Sequence, residues 1–424
     1  MSWDFATDPE FEPQLEWTRE FVRDEVEPLE TLGLEATDDA FRAITAPMKA
    51  AVKERGLWAT HLGPELGGQG FGQVKLAVLN EILGRTRHAP EVFGCQAPDT
   101  GNAEILALYG TEAQKAAYLE PLLDGRIRSC FSMTEPNAGS DPTLLETRAT
   151  RDGDGWVLDG HKWFSSNAGI AEFLIVMAVT DPDAEPHRRA SMFLVPRRTP
   201  GVNILREVAG MYGGAHHAEI RYEQVRLPAD ALLGGEGDGF TIAQKRLGPG
   251  RLHHCMRYLG QMARAFDMLR ERAVSRFAHG SLLADKQTVQ NYLADSWIQI
   301  HAARLMVLHA AWVTDQRGSS GARTEIAAAK VFVSGALHDV IDRALQIHGA
   351  LGYSTDMPLE GMYRLARALP IMDGPDEVHR VTIARQVLKG VEPHEGPWPS
   401  EHIPTRREAA RRRFARYLDA STVD

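Results

Sequence analysis

Three acids crowd one short segment late in the chain. In ALPIMDGPDEVHR (residues 368–380), Asp373, Asp376 and Glu377 flank a Gly-Pro turn in otherwise apolar surroundings. A carboxylate held in such a setting can abstract a proton; the competing reading is ordinary surface carboxylates between two helices. Two other segments could hold a ligand. CFSMTEPNAGSDP (130–142) is dense in small and hydroxylated residues, and Thr134, Asn137, Ser140 and the backbone beside Gly139 could meet a polar ring or a phosphate. It lacks the G-x-G-x-x-G spacing of a dinucleotide fingerprint, so composition alone supports only a loop. GHKWFSSNAG (160–169) sets Trp163 and Phe164 beside Ser165, Ser166 and Asn167, which suits a flat heteroaromatic ligand; a β turn with one buried aromatic is the alternative. Metal chemistry is not expected. His253, His254 and Cys255 are consecutive and cannot converge on one tetrahedral centre from a regular helix, and His216 with His217 lack a second ligand pair. Cys95, Cys130 and Cys255 have no local base to activate them.

These segments must be positioned by three kinds of element. Residues from about 11 to 125 carry apolar side chains three or four apart in 15–30, 40–58, 75–86 and 104–125, a helical pattern punctuated by Pro28, Pro47, Pro90 and the glycines of GPELGGQG. From about 131 to 240 the runs GWVLDG, FLIVMAVT, SMFLVP and AEIRYEQVRLP are rich in strand formers and separated by turn residues. After Gly239 the helical period returns. Val289, Leu293, Trp297 and Ile300, then Val333, Leu337, Val340 and Ala344, form stripes that need a partner face. Segments 241–277, 286–315, 323–346 and 375–389 predict an antiparallel four-helix bundle with TDQRGSSGART as a surface loop. Asp376 and Glu377 then read as helix-start charges, and His379 has no chemical part. The proline-rich stretch after 390 ends the last bundle helix, and a short helix follows with Arg406, Arg407, Arg411, Arg412, Arg413 and Arg416. A solvated basic face is the simplest reading of it; an anionic ligand, a membrane surface or a partner is the alternative.

Composition limits the partners. The 424 residues are 43% hydrophobic and 25% charged, enough to bury a sizeable core in two or three packed units. A formal charge of −10 disfavours polyanions, so no nucleic-acid partner is expected. Three scattered cysteines argue against a disulfide framework and fit a reducing cytoplasm. The acidic N-terminal sequence does not read as a secretory signal, and no transmembrane segment is expected.

Taken together, the two central segments, with RFAHGSLLADKQ (276–287), QIHGALGYSTD (346–356) and MDG (372–374) in that order, resemble the acyl-CoA dehydrogenase family up to about residue 390. The resemblance implies an α+β fold: an N-terminal helical domain (1–130), a central β-barrel-like domain (131–240), a C-terminal four-helix bundle (241–390), and here a tail with a basic helix (391–424). It also implies one FAD per subunit, bound across the interface of a homodimer or homotetramer. Carried over by position, Thr134, with Phe131 and Met133, meets the flavin ring, and Ser140 lines the acyl-CoA entrance. Phe164 stands where the family usually has tryptophan, and Ser166 where it has threonine bonding the reactive flavin nitrogen. Arg276 would meet the pyrophosphate of a neighbouring subunit's FAD, with Gln287 eleven residues on. His279 replaces a phenylalanine on the adenine side. Gln346, Gly349 and Gly352 match Q-x-x-G-x-x-G at the adenosine-diphosphate end.

The same resemblance answers the opening ambiguity. Asp373 falls where medium-chain members have the glutamate that removes the substrate's α proton, with D-G-P for E-G-T. The shorter side chain costs reach, and an error of about 1 Å can cost roughly 100-fold in rate. Gly374 and Arg251 match positions that meet the acyl-CoA. The family's acidic partner after the first arginine of the pair Arg364 and Arg367 is Leu365 here. The implied reaction is α,β-dehydrogenation of an acyl-CoA to a trans-2-enoyl-CoA, with electrons passed to an electron-transferring flavoprotein. The wording D-G-P-D-E-V-H most resembles the branch with the large animal enzymes for long or branched chains. An oxidase acting on an acyl-CoA or a nitroalkane-like carbon acid, and a silent flavin or acyl-CoA binding protein, are the competing readings.

Overall fold

A computed structural model describes residues 8–64, 68–211 and 216–418 of the chain. Part of the expected glycine-rich turn at 63–70 and the end of the expected terminal helix lie outside the described residues. The first part is helical: α1 (Glu12–Phe21), α2 (Asp39–Glu54), α3 (Gly72–Leu83) and α4 (Asp99–Tyr109). Leu15, Val22, Phe41, Leu79, Leu83 and Phe93 join in one core. Pro47 lies inside α2 and does not end it. Its position is exposed, so water can satisfy the carbonyl that proline leaves without a donor. The expected single helix over 104–125 stops at Gly110, whose ψ of 143° is extended, and restarts at Thr111 in a capping box with Gln114.

The central region is an eight-stranded mixed sheet: β1 (Ser129–Ser132), β2 (Arg148–Asp152), β3 (Gly155–Ser166), β4 (Phe173–Val179), β5 (Ala190–Pro196), β6 (Val202–Val208), β7 (His217–Leu227) and β8 (Leu232–Leu233). The order is β6-β7-β3-β1-β4-β5-β8, with β2 pairing both β3 and β4. Both faces of β4 are covered. Phe173, Ile175 and Met177 pack with Ile105 and Leu106 of α4, whereas Leu174, Val176 and Ala178 pack with Trp156 and Tyr222 on the other face. A strand buried on both sides explains why FLIVMAV is continuously apolar rather than alternating.

The third region is a helical bundle of α5 (Gly239–Ser275), α6 (Gln287–Gly321), α7 (Arg323–His348), the short α8 (Leu359–Ala366) and α9 (Asp376–Leu388). The loop expected over 314–324 is mostly helix. The helical run persists to Gly321 with a break at Gly318 (φ 68°, ψ 168°), because Val313 and Thr314 are packed and override the weak propensity of the glycine and serine run. The described residues from 383 onward form a separate compact unit, in which the helix Ile403–Arg413 and the turn Ala415–Leu418 bury no side chain. Among the described residues, no helix is long and apolar enough to cross a membrane.

Candidate active site

The turn between α8 and α9 is held by side chains that reach its backbone. Asp373 (φ 53°) and Gly374 (φ 93°) are both left-handed, a conformation that a non-glycine residue adopts only where its surroundings enforce it. Arg251 Nε of α5 donates to the Asp373 carbonyl at 2.7 Å, and His379 Nε2 lies 3.3 Å from the same oxygen. Burial pushes the His379 imidazole down to about 4, so it is neutral and donates from Nε2. Lys330 Nζ of α7 donates to the Gly374 carbonyl at 3.0 Å and to Asp376 Oδ1 at 2.7 Å. Both partners of that ion pair are buried. Asp376 therefore opens α9, as expected of a helix-start acid, but it is not a surface charge. His379, given no part in the sequence reading, is a brace for the turn. Glu377 is exposed.

The Asp373 carboxylate faces α5. His254 Nε2 is 3.4 Å from Asp373 Oδ2, and the Arg246 and Arg251 guanidinium groups lie within Coulombic reach of it. Burial lowers the pKa of both arginines while the carboxylate pulls in the opposite direction. Arg246 and His254 are eight residues apart, two turns along one helical face, and this spacing was the available sequence signal for residues the reading missed. Arg246 Nε donates to Asn102 Oδ1 at 2.8 Å, and its guanidinium sits 4.0 Å over the Phe131 ring. Arg246 thus joins α4, α5 and β1 beside the turn.

Phe131 opens onto the second cluster. Its Cα partner in the β1–β3 ladder is Ser166, so the two segments singled out in the sequence are strand neighbours. GHKWFSSNAG is accordingly the end of a strand, with the turn beginning only at Asn167. Lys162, fully buried, donates to the Met133 carbonyl and to Glu135 Oε1, each at 2.8 Å, and Glu135 accepts from the backbone of Glu146 and Thr147. This pins the Met133–Glu135 loop, whose Thr134 carbonyl accepts from Trp163 N at 2.8 Å. Ser166 Oγ is 2.9 Å from His217 Nδ1, and Phe164, in a left-handed conformation and 42% exposed, stacks on the His217 ring at 4.8 Å.

A planar, acceptor-rich flavin fits this donor set. Hydroxyls at Thr134 and Ser166 and an accessible Phe164 ring face are present, and the buried Trp163 indole N–H has no hydrogen-bond partner among the described residues, a donor in need of an acceptor. The remaining expected cofactor residues are elsewhere. Arg276, His279, Gln287, Gln346 and Gly349 are exposed at the ends of α5, α6 and α7, and no hydrogen bond or ion pair among the described residues joins them to the Thr134–Ser166 cluster. His279 and Gly280 form the tip of a hairpin between Phe277–Ala278 and Ser281–Leu282, both with positive φ. Gly349 has φ 62°, and a Cβ on Gly352 would meet the Leu345 carbonyl oxygen at 2.6 Å. Ser140 is exposed in the loop after β1. Arg364 finds its acid one turn back, at Glu360 (2.7 Å), in place of the absent neighbour at 365.

Comparison with known proteins agrees with this architecture. Family models for the N-terminal, middle and C-terminal domains of acyl-CoA dehydrogenases match residues 9–126, 130–225 and 237–388. FadE2 of Mycobacterium tuberculosis is 47% identical over 84% of this chain and 91% of its own length. Acyl-CoA dehydrogenase family member 11 of mouse is 46% identical over 81% of this chain but only 44% of its own length, so this chain spans less than half of that relative. A solved structure of a Mycobacterium abscessus family member superposes with a TM-score of 0.85 at 41% identity, covering 91% of this chain and 99% of that one. Butyryl-CoA dehydrogenase from Megasphaera elsdenii gives a TM-score of 0.79 at 28% identity, covering 91% and 100%. The chain belongs to the acyl-CoA dehydrogenase family, as an oxidoreductase enzyme.

Proposed function

We propose that the protein removes the α proton of an acyl-CoA through Asp373 while a hydride leaves the β carbon, yielding a trans-2-enoyl-CoA. The observation that carries this reading is the continuous contact from the Asp373 turn through α5 and Arg246 to Phe131, the strand partner of Ser166. It puts a carboxylate and a flavin-compatible surface on one connected frame. FAD, when bound, supplies the two-electron acceptor for the hydride. The chain's own part is positional. Arg251, His379 and Lys330 fix the turn, so Asp373 need not be ordered at the moment of reaction. The Cα–H bond breaks as an O–H bond forms on Asp373, and partial burial strengthens the electrostatic part of that transfer.

In this reading Phe131, Met133, Thr134, Phe164 and Ser166 hold the flavin ring, and Ser140, Arg251 and Gly374 meet the acyl-CoA. Arg276, His279, Gln287, Gln346, Gly349 and Gly352 hold the far end of a neighbouring subunit's cofactor, in a homodimer or homotetramer. The exposure of Arg276, His279, Gln287, Gln346 and Gly349 on one chain, beside exposed Phe277 and Tyr353, supports that assignment, while Gly352 is buried. An electron-transferring flavoprotein is the proposed acceptor. A substrate with a long or branched chain is proposed from the Asp373 segment, and a cytoplasmic location from three buried free thiols. The test is anaerobic mixing of the FAD-loaded protein with acyl-CoAs of increasing length and branching. Bleaching of the oxidised flavin band by one class supports the reading and ranks substrates. No bleaching by any of them overturns it in favour of a carbon-acid oxidase or a silent binding protein.

A further inference from the structure

The backbone of the Asp373 turn is braced from several sides, yet among the described residues no hydrogen bond reaches the Asp373 carboxylate oxygens. The one close ion-pair contact is His254 Nε2, 3.4 Å from Oδ2. That separation is long for a hydrogen bond and within one small side-chain rotation of it; catalytic contacts commonly tighten only when substrate is bound. His254 is itself well placed to act. It projects from the α5 face that carries Arg246, while its neighbour His253 turns away to Gln73 Oε1 at 3.0 Å. Its ring lies nearly parallel to Tyr258, whose hydroxyl approaches the Met372 sulfur at 3.9 Å. Side-chain exposures of 22% for His254 and 23% for Asp373 leave the pair reachable by a substrate.

The geometry points to His254 as the positioning residue of the base: its Nε2–H holds one oxygen of Asp373 and leaves the other turned to the substrate's α carbon. This rests on the reading of Asp373 given above. The groups that face His254 decide its protonation state. Arg246 and Arg257 of α5 and Lys330 of α7 are cationic, Asp373 is the acid opposite, and Tyr258 is the neighbouring ring. Burial and three nearby cations hold the imidazole below its ordinary range, whereas Asp373 alone favours the charged form. His254 is therefore a neutral donor and not a store for the abstracted proton, which would add a fourth positive charge to the cluster. An aspartate makes such a holder useful, because it has fewer internal bonds with which to find the productive angle.

The test uses the FAD-loaded protein with His254→Met, which removes the donor, and His254→Gln, which restores one near the same place. His254→Leu is a second donor-free side chain, so the comparison does not hang on one variant folding. Two readouts are taken. Exchange of the α hydrogens of a 3,3-dimethylacyl-CoA in deuterated water reports proton abstraction alone, since that β carbon has no hydrogen to lose. Anaerobic flavin bleaching by an oxidisable acyl-CoA is followed against pH. The donor-free variants are expected to slow both by about 10- to 100-fold with little change in substrate binding, and to move the acid limb of the pH profile upward. His254→Gln recovers most of the loss. Donor-free rates within about twofold of wild type with an unmoved limb, or a Gln variant as slow as Met, overturn the proposal. Asp373→Asn separates the two readings: lost exchange there keeps Asp373 as the base whatever His254 does, and retained exchange removes the base assignment itself.

Discussion

Lys330 and Asp376 leave water together, and each is tolerable inside the bundle because of the other. Lys330→Met strands a buried carboxylate and releases the Gly374 carbonyl, so it should cost about 3–5 kcal/mol, read from urea unfolding of the FAD-loaded protein. Adding Asp376→Leu should return a large part of that loss; a double variant no better than the single would show that the pair is not the cause. Glu104 makes a second prediction. Burial pushes its carboxyl up to about 8, against the pull of Arg246 and Lys245. The folded chain therefore keeps a proton there that the unfolded chain gives up, so this contribution is full below the ordinary 4.5 and is lost as pH rises through about 8. Melting temperature should fall across that window, and Glu104→Gln should flatten the fall; parallel curves for the two proteins would remove Glu104 as its source. Asp373 stood out in the sequence because Met372 and Gly374 beside it, and its distance from Gln346, match the family motif, from which Pro375 departs. Arg246, His254 and Lys330 were not, because their importance depends on which helical face meets the turn. Lys330 did leave a trace: it interrupts the apolar series Ile326, Val333 and Leu337 at helical spacing, as a buried and partnered cation would.

At the scale of elements, the left-handed pair Asp373–Gly374 sets the direction of the proposed base. Gly374→Ala places a Cβ 3.3 Å from His379 Nε2 at φ 93°, where a side chain is strained regardless of space. The expected result is retained flavin and a reduction rate down by about 100-fold, since a displacement near 1 Å suffices for that. A rate equal to wild type would mean that the turn tolerates movement and does not position the carboxylate. Of the strands, β4, β5, β7 and the start of β3 were legible as runs of β formers between turn residues, whereas β6 and the part of β3 beyond Gly160 were not. The helices misled where local propensity and packing disagreed. Pro47 sits on an exposed face and is absorbed, and the serine and glycine run before residue 322 is carried into a helix by its buried neighbours. Gly110 did the reverse, splitting a helical pattern that periodicity alone joins.

For the whole molecule, the order helical region, sheet and bundle was legible because helical periodicity gives way to short runs of strand formers between turn residues and then returns. A site completed by a second copy is implied by the family resemblance alone, since periodicity within one chain says nothing of a partner. Trp297 (55% exposed), Phe277 (63%) and Tyr353 (80%) are large side chains left on the surface of the chain, close in sequence to the proposed cofactor positions at 276–287 and 346–352. If Arg276 serves a neighbour, then Arg276→Ala and Asp373→Asn subunits, each inactive alone, should form hybrids in which one site is whole. Coexpressed at equal levels in a dimer, they should regain about a quarter of wild-type activity. No recovery in verified hybrids would place Arg276 in its own subunit's site. The proposed role of Asp373 is read from the rate of anaerobic flavin bleaching by a good acyl-CoA substrate, wild type against Asp373→Asn. If Asp373 is the base, the variant keeps its FAD and binds substrate but is reduced about 100- to 10,000-fold more slowly. Bleaching at the wild-type rate would contradict it.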